Sequence, residues 1–120
     1  MTIITDKGIV NLVNLTPHQV NYIERGEVKL SISGCNNPPR VEEQINGQEH
    51  LEVEGRYNIK IHNAKNVFVK NLPEEQENTY YIVSRIIAEY SDREDLLVPH
   101  EFIKNPEGEI IGCKSFKKVM

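Results

Sequence analysis

Two runs of alternating apolar and polar residues, joined by Arg25-Gly26, constrain the fold of this chain more strongly than any other feature. In residues 27–33 the apolar side chains recur at every second position, which is the period of a β-strand. Residues 19–24 alternate in the same way, and Arg25-Gly26 supplies a turn between the two runs. The pattern predicts an antiparallel hairpin and favours a fold that is built from strands.

Most of the remaining chain repeats this strand pattern. Alternating or β-branched runs predict further strands at residues 9–15, 40–45, 48–54, 57–62, 66–70, 79–83 and 109–116. Asn46-Gly47 is typical of a two-residue hairpin turn. Acidic residues 72–78 predict an exposed loop, and residues 105–108 predict a type I turn.

A single segment favours a helix. Ser84 is a good N-cap residue, and the apolar side chains Ile86, Ile87 and Tyr90 that follow share one side of a helix. We therefore expect an α+β fold that is β-rich, with a mostly antiparallel sheet of hairpins and one short α-helix at about residues 84–91.

Length and charge limit the classes of function. The 120 residues suit one domain, 1–120, and no apolar run approaches the ~20 residues that a membrane span requires. The 14 basic and 18 acidic residues leave a net charge of −4, which argues against a general nucleic-acid coat. No export signal is evident at the N-terminus, so we expect a cytoplasmic protein with no membrane association.

The cysteines and histidines show no metal or redox motif. Cys35 and Cys113 are far apart and lack a C-x-x-C partner, so we expect both thiols to be reduced. The four histidines are scattered, without H-E-x-x-H or His-Cys spacing. We expect neither a metal nor a cofactor.

The first candidate binding site is the motif Asn14-Leu-Thr-Pro-His18. Because Pro17 favours an extended conformation at Thr16, the side chains of Asn14, Thr16 and His18 can lie on one side and offer an amide, a hydroxyl and an imidazole to a ligand. The alternative is a turn in which Asn14 and Thr16 bond their own backbone and His18 is merely exposed. The residues taken alone favour the turn.

The second candidate lies where strand 79–83 meets the helix. Unpaired backbone N–H groups at a helix start attract anions, and the Ser84 hydroxyl and Arg85 guanidinium suit a phosphate or carboxylate. A plain N-cap with Arg85 on a solvated face is the simpler interpretation, and no glycine-rich phosphate loop precedes the helix. Arg93, in the charged run 91–95, either pairs within that loop or is held outward for an anionic partner.

Catalytic arrangements are incomplete. Ser84, with His18 or His100 and with Asp95, has the residue types of a hydrolase triad but no nucleophile-elbow glycines. Cys113 falls inside a strand pattern, where a small packed residue is expected. Three tyrosines are candidates for stacking a base, although core positions suit two of them equally: Tyr57, Tyr80 and Tyr90.

Several motifs occur together in a recognisable order. They are Asn14-Leu-Thr-Pro-His18, Arg40-Val41 after a Ser-Gly loop, Leu72-Pro-Glu-Glu, Tyr81-Ile-Val-Ser84, Arg93-Glu-Asp-Leu-Leu-Val-Pro99 and Gly112-Cys113. With these motifs the chain resembles a group of small proteins of phages, prophages and bacterial mobile elements. Accessory phage proteins of this size frequently oppose bacterial defence, and one class consists of oligomeric sponges that sequester nucleotide signals such as cyclic dinucleotides.

The resemblance and the residues together predict a function. We expect an anti-defence protein that forms a homo-oligomer and sequesters a small anionic, nucleotide-derived ligand without catalysis. The expected ligand-binding residues are Asn14, Thr16, His18, Arg40, Ser84, Arg85 and Arg93. Two alternatives stay open: an adaptor or inhibitor that binds a host protein through a strand edge and the acidic loop at residues 74–77, and a small hydrolase that uses His18 or Ser84.

Overall fold

The computed structural model describes residues 1–119, and residue 66 through its backbone alone. Within these residues the chain forms nine strands and one short helix. In chain order they are β1 Thr2–Thr5, β2 Gly8–Asn14, β3 Val20–Glu24, β4 Glu27–Ile32, β5 Arg40–Val53, β6 Tyr57–Lys70, β7 Thr79–Ile82, α1 Arg85–Glu89, β8 Leu96–Lys104 and β9 Ile110–Lys117.

Seven strands form one curled sheet in the order β1-β2-β7-β8-β9-β3-β4. Three of its pairings, β2–β7, β7–β8 and β9–β3, are parallel, and the other three are antiparallel. More than 60 residues, which form β3 to β6, separate β2 from β7 in the chain, and the two strands pair in parallel with Asn14 opposite Ile82. The carboxyl ends of β2 and β7 therefore meet at one edge of the sheet.

The predicted hairpin around Arg25-Gly26 is confirmed as β3 and β4, which pair from Val20 opposite Ile32 to Glu24 opposite Glu27. The turn at residues 105–108 is also confirmed, because the Gly108 amide donates to the Asn105 carbonyl at 2.9 Å. The short helix forms at Arg85–Glu89 with Ser84 as its N-cap residue.

The predicted turn at Asn46-Gly47 is wrong. These residues lie inside β5, where the register with β6 shifts between Ile45 and Gln48 as a β-bulge. The turn lies instead at residues 53–56, where the Arg56 amide donates to the Val53 carbonyl at 2.8 Å. Glu54 and Gly55 both have positive φ there, as in the type I′ turns that suit the twist of two strands. Four short predicted strands thus become two long ones.

The two long strands β5 and β6 pair only with each other and form an arm. At about 3.3 Å per residue, 14 residues reach about 46 Å. The molecule measures 68 × 39 × 26 Å with a radius of gyration of 19.6 Å, whereas a compact chain of this length has about 14 Å. The arm therefore projects well beyond the body.

Two apolar clusters lie on opposite faces of the sheet. The first surrounds Tyr81, Val83 and Leu96, and it receives helix α1 and the base of the arm through Val41 and Val69. The second joins Ile82, which is fully buried, to side chains of the neighbouring strands, including Leu12 and Cys113. Strand β7 is therefore covered on both faces, as its continuous apolar sequence predicts.

The β-rich class with one short helix is confirmed. With five residues the helix is a minor part of the fold, so the β-rich description holds more firmly than the α+β class. Across the sheet and the arm, four strand pairings are antiparallel and three are parallel. In residues 1–119 no helix has the length and apolar character needed to cross a membrane.

Candidate functional site

A cleft with a volume of about 860 Å³ opens beside the edge where β2 and β7 end. Residues that follow β2 form one wall, the start of α1 forms a second, and the hairpin of β8 and β9 forms a third. Because β7 ends at Ile82, it pairs with only the first part of β8, and the rest of that hairpin extends past it.

The turn after β2 is held by Asn14, which is buried. Its side-chain amide donates to the carbonyls of His18 at 2.8 Å and Ile32 at 3.0 Å. Its Oδ1 accepts from the Thr16 amide at 3.0 Å, and the Thr16 hydroxyl lies 2.7 Å from the same atom and 2.9 Å from the His18 carbonyl oxygen. Both side chains satisfy the local backbone, as in the simpler interpretation of this motif, and the His18 side chain is exposed at the cleft.

Gly34 supports the same turn from the neighbouring loop. A Cβ atom at Gly34 would lie 2.8 Å from the carbonyl group of Pro17 and 2.9 Å from the His18 nitrogen. The Cys35 amide donates to the Thr16 carbonyl at 2.7 Å. The position of His18 is therefore set by backbone contacts on two sides.

At the second wall, Ser84 and Arg85 line the cleft. The Ser84 side chain makes no capping hydrogen bond, so its hydroxyl is not used by the helix. Arg85 Nε donates to Glu89 Oε1 at 2.7 Å, one helical turn away, and the Arg85 side chain is 60% exposed. Among the described residues, Nε is the guanidinium nitrogen of Arg85 that makes a hydrogen bond, and Glu89 is its ion-pair partner.

The charged side chains that line the cleft are basic, whereas the net charge of the whole chain is negative. Its lining includes the cations Arg85 and Lys117 and the imidazoles of His18 and His100, but no aspartate or glutamate among the described residues. Lys117 forms no ion pair with another residue in the range 1–119. Glu89, which pairs with Arg85 from outside the lining, offsets one of the two cations, so Lys117 carries the unpaired positive charge with which this cleft suits an anion.

The cleft also has an apolar wall, which the sequence analysis did not assign to a site. Phe102, Ile110 and Ile111 line it and are 54%, 58% and 44% exposed. In the sequence these apolar residues stand on either side of the predicted turn at residues 105–108. That position next to a turn was the signal from which this wall could have been predicted. Apolar surface beside a few polar groups is the usual composition of a small-molecule site.

Three of the seven expected ligand-binding residues do not line this cleft: Asn14, Arg40 and Arg93. Arg40 begins the arm opposite Lys70. Arg93 lies against Asp95 and donates to the Pro73 carbonyl. The other four, Thr16, His18, Ser84 and Arg85, are brought together.

The thiols and the triad residues also have defined positions. Cys35 and Cys113 are both free, and Cys113 is buried, as expected of a packed strand residue. Burial raises the pKa of the Cys113 thiol, which disfavours a reactive thiolate. Ser84, His18 and His100 line the cleft, but Asp95 is paired with Arg93, so the described lining offers no carboxylate to orient an imidazole. Among residues 1–119 no cluster of three or more metal-ligating side chains occurs.

Comparison of the chain with protein-family models, with curated proteins and with solved structures gives no match.

Proposed function

We propose that this protein binds a small anionic, nucleotide-derived ligand in the cleft and sequesters it without chemical change. The observation that carries this proposal is a cleft lined by Lys117, by Arg85, which pairs with Glu89 just outside the lining, and by two imidazoles, with no carboxylate among the described lining residues of a net-acidic chain. A phosphate bound near Arg85 and Lys117 replaces water with charge-assisted hydrogen bonds. The apolar wall at Phe102 and Ile111 accommodates a base or ribose.

The biological setting is part of the same proposal. The resemblance to small phage and prophage proteins suggests an anti-defence role, in which a homo-oligomer removes a nucleotide signal of the host. The described lining of the cleft has no carboxylate to orient an imidazole, which favours capture of the ligand over hydrolysis. The protein acts in the host cytoplasm in this proposal.

Calorimetry of the protein against a panel of signalling nucleotides tests the proposal, with Lys117→Gln and Lys118→Gln as matched variants. Lys118 is adjacent in sequence but lies over the Tyr80 ring, outside the cleft lining. We expect binding of at least one nucleotide, a roughly tenfold loss in Lys117→Gln, and little change in Lys118→Gln. Flat titrations with every nucleotide, or equal losses in both variants, would refute the proposal.

A protein-binding role is the second candidate, and the free sheet edges favour it. Strands β1 and β4 each pair on one side only, so their outer edges offer backbone groups to a partner strand. The loop at residues 74–77 is exposed and acidic. A stoichiometric host protein recovered in a pull-down, with no nucleotide bound in the cleft, supports this function over the first.

A further inference from the structure

The two ends of the cleft differ in chemistry. Lys117 of β9 lies opposite Val98 of β8, and Phe102 lies farther along β8, opposite Cys113. At about 3.3 Å per residue, the four residue steps from Val98 to Phe102 span about 13 Å. The cationic end at Lys117 and the apolar end at Phe102 are therefore far enough apart to hold different parts of one small ligand.

The cationic end combines a lysine with a hydroxyl. The Val83 amide donates to the Leu97 carbonyl at 2.9 Å, so Ser84 follows directly beside the part of β8 that pairs with Lys117. The Ser84 side chain makes no capping hydrogen bond with the helix, and the charge of Arg85 is offset by its ion pair. One unpaired cation beside a hydroxyl donor suits a single phosphate group better than a chain of phosphates.

The apolar end carries a group of polar side chains whose orientation is set by the backbone. Asn21 Nδ2 donates to the Ile111 carbonyl at 3.1 Å, so the other atom of this amide, Oδ1, faces away as an acceptor. That Oδ1 accepts from the Ser31 hydroxyl at 2.7 Å and from Gln19 Nε2 at 3.0 Å. The Ile111 carbonyl therefore determines which way round the amides of both Asn21 and Gln19 lie.

Gln19 is exposed and lines the cleft together with Ile111. Among the described residues, Nε2 is the atom of its side-chain amide that makes hydrogen bonds, to Asn21 and Ser31. Turning this amide over would set its oxygen against the oxygen of Asn21, so Oε1 is held as the acceptor that a ligand meets. An oriented acceptor beside an apolar wall recognises an N–H donor on the edge of a flat ring.

We propose that the ligand is an adenine nucleotide with a single phosphate, an assignment that rests on the function proposed above. The phosphate lies at Lys117, the base lies against Phe102, and Gln19 Oε1 accepts a hydrogen bond from the adenine amino group. A single acceptor suits adenine, whose edge has one amino donor, better than guanine, whose edge also has a carbonyl oxygen. One phosphate site and one base site suit a mononucleotide better than a cyclic dinucleotide, which carries two of each.

Calorimetry of the full chain with two nucleotides that differ by one group tests the role of Gln19. Adenosine monophosphate has the amino group, and purine riboside monophosphate has hydrogen in its place. The wild type should bind the first about fivefold more tightly, because the second leaves one hydrogen bond unmade. Gln19→Met keeps the length of the side chain but removes the acceptor, so the two affinities should become equal.

Gln48→Met is the matched control, because Gln48 is an exposed glutamine of β5, away from the cleft lining. This variant should keep the wild-type ratio of the two affinities. The ratio compares two ligands on the same protein, so a general loss of folded protein does not change it. A cyclic dinucleotide of adenosine, titrated in parallel, should bind more weakly than adenosine monophosphate.

Four results overturn the assignment of the ligand. They are no binding of adenosine monophosphate, equal binding of the two mononucleotides by the wild type, a preference that persists in Gln19→Met, and tighter binding of the cyclic dinucleotide. In each case, binding of any nucleotide in the cleft still supports the function proposed above. Flat titrations with every nucleotide would instead refute both.

Discussion

Arg93 and Asp95 form a two-pronged ion pair. Arg93 Nε donates to Asp95 Oδ1 at 2.9 Å and Nη2 donates to Oδ2 at 2.6 Å, with 19% and 12% of the two side chains exposed. The remaining nitrogen, Nη1, donates to the carbonyl of Pro73 in the acidic loop. The hydrogen bonds that Arg93 donates to Asp95 raise the pKa of Arg93, so the guanidinium stays charged and holds this loop against the segment before β8.

Removing that guanidinium should destabilise the protein. Arg93→Gln leaves Asp95 without its partner in a largely buried position, and we expect the free energy of unfolding to fall by about 2 kcal/mol. Arg85→Gln is the matched control, because its ion pair with Glu89 is exposed and contributes about 0.5 kcal/mol or less. Urea unfolding measures both, and equal values would contradict the structural role of Arg93.

The hydrogen bonds of the Asn14 side chain predict that an almost isosteric substitution there lowers the free energy of unfolding more than Arg93→Gln does. Asn14→Asp replaces two donated hydrogen bonds by repulsion between a carboxylate and the carbonyls of His18 and Ile32, so we expect a loss of at least about 3 kcal/mol. The same change at Asn11, which is exposed on the same strand, should cost less than about 1 kcal/mol. Thermal unfolding compares the two variants, and similar midpoints would show that the network is dispensable.

Glycine is required at position 34 because the backbone of Pro17 and His18 passes close to it. Gly34→Ala places a Cβ atom 2.8 Å from the Pro17 carbonyl group, so the turn must shift, with a loss of about 1–3 kcal/mol and a displaced His18. Ser33→Ala, at the adjacent exposed position, should have little effect. The chemical shifts of the His18 ring, measured by NMR, report the displacement directly, and an unchanged ring environment in Gly34→Ala would argue against this contact.

Cys113 predicts a decline in stability at alkaline pH. Burial raises the pKa of its thiol in the folded state above the ordinary value of about 8.5, so the stabilising contribution is complete below that pH. It is lost progressively as the pH rises through the folded-state pKa, since the unfolded chain releases its proton first. The free energy of unfolding, measured from neutral to alkaline pH, should decrease with pH in the wild type and in Cys35→Ala. The decrease should be smaller in Cys113→Ala.

Local sequence was sufficient where structure depends on neighbouring residues. The alternation on either side of Arg25-Gly26 predicted the first hairpin, and the β-favouring run at residues 79–83 predicted the strand that forms there as β7. Cys113 was correctly placed as a packed residue for the same reason. Side chains at every second position must face the same side of a strand, so the pattern carries its own geometry.

Other features depended on residues that are distant in the chain. Asn46-Gly47 has the sequence of a turn, yet pairing along the whole of β6 converts it into a bulge, because extended hydrogen bonding outweighs one local preference. Arg93 was an open candidate for a ligand until the fold supplied Asp95 and the Pro73 carbonyl as partners.

The sequence by itself determined a β-rich domain, its principal hairpin and its short helix, since these follow from periodicity and capping within a few residues. The tertiary structure alone decided where the cleft lies and what lines it. Parallel pairing of β2 with β7 brings His18 close to Arg85 across more than 60 residues, and the β8–β9 hairpin adds Phe102 and Lys117. Such an arrangement depends on which strands become neighbours, and a local pattern contains no information about that choice.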